Sequence, residues 1–274
     1  MKQLEEFMVQ RSRQRKLLVA YVTAGFPDEQ RFLELLPLLE ASGADAIELG
    51  LPFSDPLADG PVIQRASAAA IDSGMTSARA LELASRLQGK LAIPLVAMGY
   101  VNPLLSYGVQ RFLADAAAAG ISGLILPDLP LDGDRVTELA IARSPLARIQ
   151  LVAPSSSAAR ISRLARTSEG FIYLVSRLGV TGGQITANGS LPGIIEDIRA
   201  NSTLPLLTGF GISDARSASA AAAHCDGVII GSALIERLES DNPLQAAAEF
   251  IAGIRRALDH SAQDSGVALE ESRT

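Results

Sequence analysis

The chain is poor in the side chains that enzymes use most. Its one cysteine, Cys225, can form no disulfide within the chain and no multi-thiolate metal site. A lone cysteine among apolar neighbours is expected as a small buried hydrophobe. There are two histidines: His224 precedes the last strand-like run and His260 begins a polar tail. Their placement argues against a His-based metal site and against a Ser-His-Asp triad. Of three lysines, Lys16 and Lys90 stand just ahead of strand-like runs, away from the strand ends where a Schiff-base lysine would work in a parallel barrel. Trp is absent and aromatics make up 4%, so the 48% apolar fraction leaves Leu, Ile, Val and Ala to fill the core. Lys and Arg total 24 against 30 Asp and Glu, and the resulting net charge of −6 disfavours nucleic acid and anionic membranes as partners. No apolar run approaches the ~18 residues of a membrane span, and the opening MKQLEEFMVQ lacks a signal-peptide core, so a soluble cytoplasmic protein is expected.

What is present is a regular alternation. Apolar, strand-like runs begin at Leu17, Ala46, Ile93, Gly123, Arg148, Phe171, Leu204 and Gly227. Helical stretches such as Glu29 to Ala41, Ser77 to Leu87 and Gln110 to Ala119 separate them, with Asp28, Asp132, Ser157 and Asp214 at expected N-caps. Strands apolar on both faces, alternating with helices, imply a parallel sheet covered on both sides. Eight such units in 274 residues without a linker fit one (β/α)8 barrel over residues 1–259, in which the loops after the strands carry the chemistry. An open doubly wound sheet is the alternative, disfavoured because no GxGxxG follows the first strand. Leu4, Phe7 and Met8 at helical spacing predict an extra N-terminal helix covering one end. The long segment after the second strand holds two helical stretches, Val62 to Asp72 and Ser77 to Leu87, hence an extra helix there. Residues 260–274 are polar and without sustained pattern, and are expected to be a disordered tail.

The most informative stretch is Asp45 to Pro61, DAIELGLPFSDPLADGP. Glu48 sits inside its apolar strand with no basic residue within fifteen positions on either side, and Asp55 and Asp59 follow in a Pro- and Gly-punctuated loop. A carboxyl desolvated in a strand should have a raised pKa, suited to both giving and taking a proton. The competing reading is a structural ion pair with a distant Arg. For Asp59, a turn or a helix cap before Gly60-Pro61 is as consistent with the residues as a catalytic role. A second constellation is glycine-rich: Gly179, Gly182 and Gly183 after the sixth strand, Gly209 and Gly211 after the seventh, Gly231 and Ser232 after the eighth. Loops after strands seven and eight with a short following helix form the usual phosphate site of such barrels, so backbone amides are expected to hold an anion here.

These segments resemble the tryptophan synthase α subunit family. The run ELGLPFSDPLADGP from Glu48 is similar to its most diagnostic segment, joined by YVTAGFPD from Tyr21, MGYVNPLLSYG from Met98, YLVSRLGVTG from Tyr173, LLTGFGIS from Leu206 and IIGSALI from Ile229. The resemblance implies retro-aldol cleavage of indole-3-glycerol phosphate to indole and glyceraldehyde 3-phosphate, with no metal or organic cofactor in this chain. By motif, Glu48 resembles the proton-transferring acid/base and Asp59 the carboxylate that binds the indole N–H. Tyr173 resembles a pocket residue beside them, and Tyr21 stands where many relatives carry Phe. Gly182, Gly211, Gly231 and Ser232 resemble the phosphate-binding positions, and Thr181 lies in a loop that closes over the site and contacts Asp59. The resemblance also implies a PLP-dependent β subunit as partner in an α2β2 assembly. Pro52, Asp55, Asn102 and Pro103 lie in segments resembling the β-facing surface. A free-standing indole-glycerol-phosphate lyase shares the site, and a non-catalytic regulatory barrel is disfavoured by the presence of both carboxylates.

Overall fold

The computed structural model describes residues 2–177 and 191–271. The strand-like runs become β1 (Leu17–Thr23), β2 (Ala46–Gly50), β3 (Leu95–Met98), β4 (Ile121–Ile125), β5 (Ala147–Val152), β6 (Ile172–Arg177), β7 (Leu206–Phe210) and β8 (Gly227–Ile230). Neighbours in sequence pair in parallel, and β1 pairs with β8 to close the barrel. The expected (β/α)8 architecture is therefore present.

Alternation along each strand divides the apolar residues into two sets. Leu17, Val19, Ala46, Val96, Ile149, Leu207 and Ile229 belong to the interior cluster, whereas Leu18, Ala20, Ile47, Leu49, Val228 and Ile230 pack under the helices. The N-terminal helix α1 (Gln3–Ser12) drops Leu4 and Met8 into the interior cluster and so closes the end opposite the catalytic loops. A buried charge cluster secures it. The fully buried Asp45 carboxylate receives Arg11 at 2.8 Å, Arg15 at 2.6 Å and Arg255 at 3.2 Å, and accepts the Leu18 N–H at 2.9 Å.

The second strand is followed by two helices, α3 (Pro61–Asp72) and α4 (Ser77–Ser85), as the sequence pattern predicts; α2 (Glu29–Ala41) precedes that strand. After β3 comes a short helix, α5 (Val101–Tyr107), before α6 (Val109–Ala118); the Pro103 in its first turn had hidden it from a propensity reading. Asp28, Ser157 and Asp214 cap α2, α8 (Ala158–Thr167) and α10 (Ala215–Ala222) as expected. Asp132 does not cap. A turn closed by the Gly133 N–H on the Pro130 carbonyl delays α7 (Arg135–Arg143), so Asp134 caps it and Asp132 pairs with Arg163 at 2.5 Å. Between α8 and α10 stands α9 (Leu191–Asn201), and after β8 the chain continues as α11 (Ser232–Leu238) and α12 (Pro243–Glu271). The backbone of residues 260–271 continues α12 as helix. That stretch has no proline, and adding residues to an existing helix is far easier than nucleating one.

Candidate active site

At the C-terminal end of the barrel lies a cavity of about 470 Å³, walled by residues from the ends of β1, β2, β3, β6, β7 and β8 and the loops that follow. Glu48 forms its floor. With Ala46 in the interior cluster, alternation along β2 puts Glu48 and Gly50 on the same inner face, in register with Tyr21 on one side and Val96 on the other. The side chain is 1% exposed, and among the described residues its Oε2 has no hydrogen-bond partner. Among the described residues no cation pairs with it, which leaves the ion-pair reading without a partner there. Burial, and secondarily the charge of Asp59, pushes the Glu48 carboxyl up to about 8. At neutral pH the group is mostly protonated, with a pKa matched to proton transfer in either direction.

Asp59 enters the same cavity from the β2–α3 loop. Gly60, and not Asp59, occupies the N-cap of α3, and no side-chain cap is made there, which removes the capping alternative. Its backbone N–H does close a turn on the Pro56 carbonyl at 3.0 Å, so the loop reading holds for the backbone while the carboxyl is left to the cavity. Burial raises Asp59 to about 6, and a hydrogen bond from the Tyr100 hydroxyl opposes that rise. Asp55, the third carboxylate of the stretch, is exposed, accepts the Ser54 hydroxyl at 2.5 Å and takes no part in the cavity.

Tyr21 and Tyr173 stand on inner faces beside Glu48, both buried, and burial together with the two carboxylates holds their hydroxyls above the usual phenol range. Their rings explain two glycines. A Cβ at Gly50 would collide with the Tyr21 hydroxyl, and one at Gly209 with that of Tyr173. The same cavity is also lined by Gly211, Ile212, Ser213, Gly231 and Ser232, from the loops after β7 and β8. Gly211 has φ +76°, which L side chains adopt only with strain. Thr181 and Gly182, with Gly179 and Gly183, lie outside the described residues.

Tyr100 was missed by motif reading. It is 5% exposed, accepts the Ala58 N–H at 3.0 Å, hydrogen-bonds Asp59 and rests on Phe53 with ring centroids 5.3 Å apart, so it fixes the loop that carries the carboxylate. The signal was available: Tyr100 stands two residues past the end of β3, where this architecture collects functional groups. Met98 and Ile63 add apolar wall that sequence gave no reason to single out. The enclosure thus combines apolar and tyrosine walls, two raised carboxyls and glycine-rich backbone.

A family model described as tryptophan synthase alpha chain matches residues 7–262. The chain belongs to this family. It is 44% identical over 245 residues to the tryptophan synthase alpha chain of Dehalococcoides mccartyi, covering 89% of this chain and 96% of the relative. Identity to the Chloroflexus aurantiacus protein of the same name is 45% over 256 residues, with 93% and 96% covered. Among solved structures it is similar to tryptophan synthase subunit alpha from Legionella pneumophila, with TM-score 0.84, 34% identity, and 95% and 99% of the two chains covered. It also resembles tryptophan synthase from M. tuberculosis in its aminoacrylate-bound form, with TM-score 0.83, 33% identity, and 94% and 100% covered. Among the described residues, no helix is long and apolar enough to cross a membrane.

Proposed function

We propose that the chain is the α subunit of a tryptophan synthase and a carbon–carbon lyase, cleaving indole-3-glycerol phosphate to indole and glyceraldehyde 3-phosphate in tryptophan biosynthesis. The observation that carries the proposal is Glu48 and Asp59 in one cavity, both raised and, among the described residues, without an ion pair, at the C-terminal end of a barrel of this family. In the proposed reaction a proton delivered to indole C3 turns the ring into an electron sink. Asp59 accepts the indole N–H and stabilises the positive charge that develops at that nitrogen. The bond from C3 to the side chain breaks as the adjacent hydroxyl loses its proton and becomes the aldehyde oxygen. The bonding pair returns to the ring, so the products are neutral indole and the phosphorylated aldehyde. Glu48 is poised for the proton transfers, and Tyr21 and Tyr173 flank the ring. Gly211, Gly231 and Ser232, with Gly182, are assigned to the phosphate. The proposed chemistry needs no metal or organic cofactor in this chain.

The family implies a β subunit as partner; an α2β2 assembly, PLP in that partner and a cytoplasmic location belong to the proposal. The exposed Leu57, 94% accessible, and Leu105, 50%, lie near Asp55, Asn102 and Pro103 in the chain and support the assignment of these segments to the partner, whereas Pro52 is buried. The test is to incubate the purified chain with indole-3-glycerol phosphate and follow indole, with and without a β subunit. Release strongly stimulated by the β subunit is expected. Rapid unstimulated release favours a free-standing lyase, and no release under either condition overturns the proposal.

A further inference from the structure

The lining of the cavity has an unbalanced charge. Besides Glu48 and Asp59 it includes a third carboxylate, Glu236, on α11 one turn beyond Ser232, on the side where Gly211, Ser213, Gly231 and Ser232 form the wall. Glu236 is solvent-exposed and, among the described residues, makes no ion pair; the neighbouring Glu239, not Glu236, receives Arg65, at 3.6 Å. No Lys, Arg or His lines the cavity among the described residues. An anion bound at this wall would therefore be held by backbone N–H groups and hydroxyls alone, with a carboxylate of the same sign beside it.

We infer that Glu236 is a specificity-determining residue that weakens the binding of phosphorylated ligands by like-charge repulsion, without acting on the bond-breaking step. The inference rests on the proposed assignment of the phosphate to this wall. Repulsion between exposed charges is reduced by solvent and by salt, so its effect is felt at low ionic strength and fades as salt is added. It also acts on the substrate and on the phosphorylated product, but not on indole. A residue that repels ground state and transition state equally alters KM and leaves kcat in place. The physical consequence is a site that sheds its phosphorylated product readily at the expense of tight substrate binding.

The test compares the parent with Glu236→Gln and Glu236→Lys, each assayed with its β subunit. Steady-state kinetics with indole-3-glycerol phosphate are measured at low and high salt, alongside the affinity for indole. Removing the charge is expected to lower KM about fivefold to tenfold at low salt, the upper figure corresponding to about 1.4 kcal/mol. Lysine should lower it further. In both variants kcat should stay within about twofold and indole affinity should be unchanged. A KM that does not fall in either variant, or a fall shared by indole, overturns the role of Glu236. Gly211→Val serves as the independent check on the phosphate assignment: it should raise KM for the phosphorylated substrate and spare indole. If Gly211→Val spares both ligands, the phosphate assignment fails. If it weakens only the phosphorylated one while the Glu236 variants are inert, the inference alone fails.

Discussion

Replacing Glu48 with Gln should move activity and stability in opposite directions. The Glu48 carboxyl is raised from its ordinary 4.5 to about 8, chiefly by burial. Below pH 4.5 the group is protonated in both folded and unfolded chains and contributes no difference. Between 4.5 and 8 the unfolded chain ionises while the folded one holds its proton, so the parent loses stability as pH rises; above 8 the loss levels off. Each tenfold step is worth about 1.4 kcal/mol, so the accumulated loss at pH 7 is on the order of 3 kcal/mol. Glutamine keeps the shape without the titration. Its extra N–H2 must be desolvated on this floor, which offsets part of the gain. The expected outcome is a variant more stable than the parent by about 1 to 3 kcal/mol at pH 8 and by much less at pH 5. Indole release should fall by about 10² or more, the scale of a lost general acid/base. Denaturant unfolding at the two pH values gives the first quantity, and an indole assay with β subunit present gives the second. A stability difference independent of pH would refute the burial argument, and near-normal indole release would refute the proton-transfer role.

Asp59→Asn should likewise lower indole release by about 10² while the fold survives, since the carboxyl makes no cap; circular dichroism and the same assay check both halves. Tyr100→Phe removes the hydrogen bond that lowers Asp59, so Asp59 should titrate at higher pH than its present value of about 6. The acid limb of the kcat/KM profile should then move to higher pH, and an unmoved limb would show that Tyr100 does not govern this carboxylate. Gly50→Ala forces the Tyr21 ring out of its place, with an expected loss of about 1 to 3 kcal/mol in denaturant unfolding and weaker indole binding. At the opposite end of the barrel, Asp45→Ala takes from the buried Arg255 one of its two carboxylates, leaving Asp259, and loosens α1. A loss of about 3 to 5 kcal/mol is expected, with kcat unchanged under conditions where the variant is folded.

The sequence by itself determined the architecture and named the two carboxylates. Eight runs apolar on both faces can be buried only in a parallel sheet with helices around it, and this periodicity is local. Glu48 was legible for the same reason, because a carboxylate in an apolar strand with no cation nearby in the chain is a local anomaly. Other features depended on distances that no local pattern encodes. Whether Glu48 had a distant cation, and whether Asp59 capped a helix or faced a cavity, was open until the barrel closed. That closure brought β1, β2 and β6 within reach of one another and put Tyr21, Glu48 and Tyr173 around one space. Gly50 carries no signal of its own in the sequence and Gly209 reads there as one of the anion-binding glycines; that each leaves room for a tyrosine hydroxyl is decided by tertiary packing. Tyr100 and Glu236 carry no motif of their own, and their importance comes from what they face. The cap at α7 moved from Asp132 to Asp134 because a preceding turn, invisible to a one-residue rule, took up the intervening chain. Local pattern decides which elements form and where a carboxylate is costly; tertiary closure decides which groups share one desolvated space, and it is that sharing which moves their protonation into the working range.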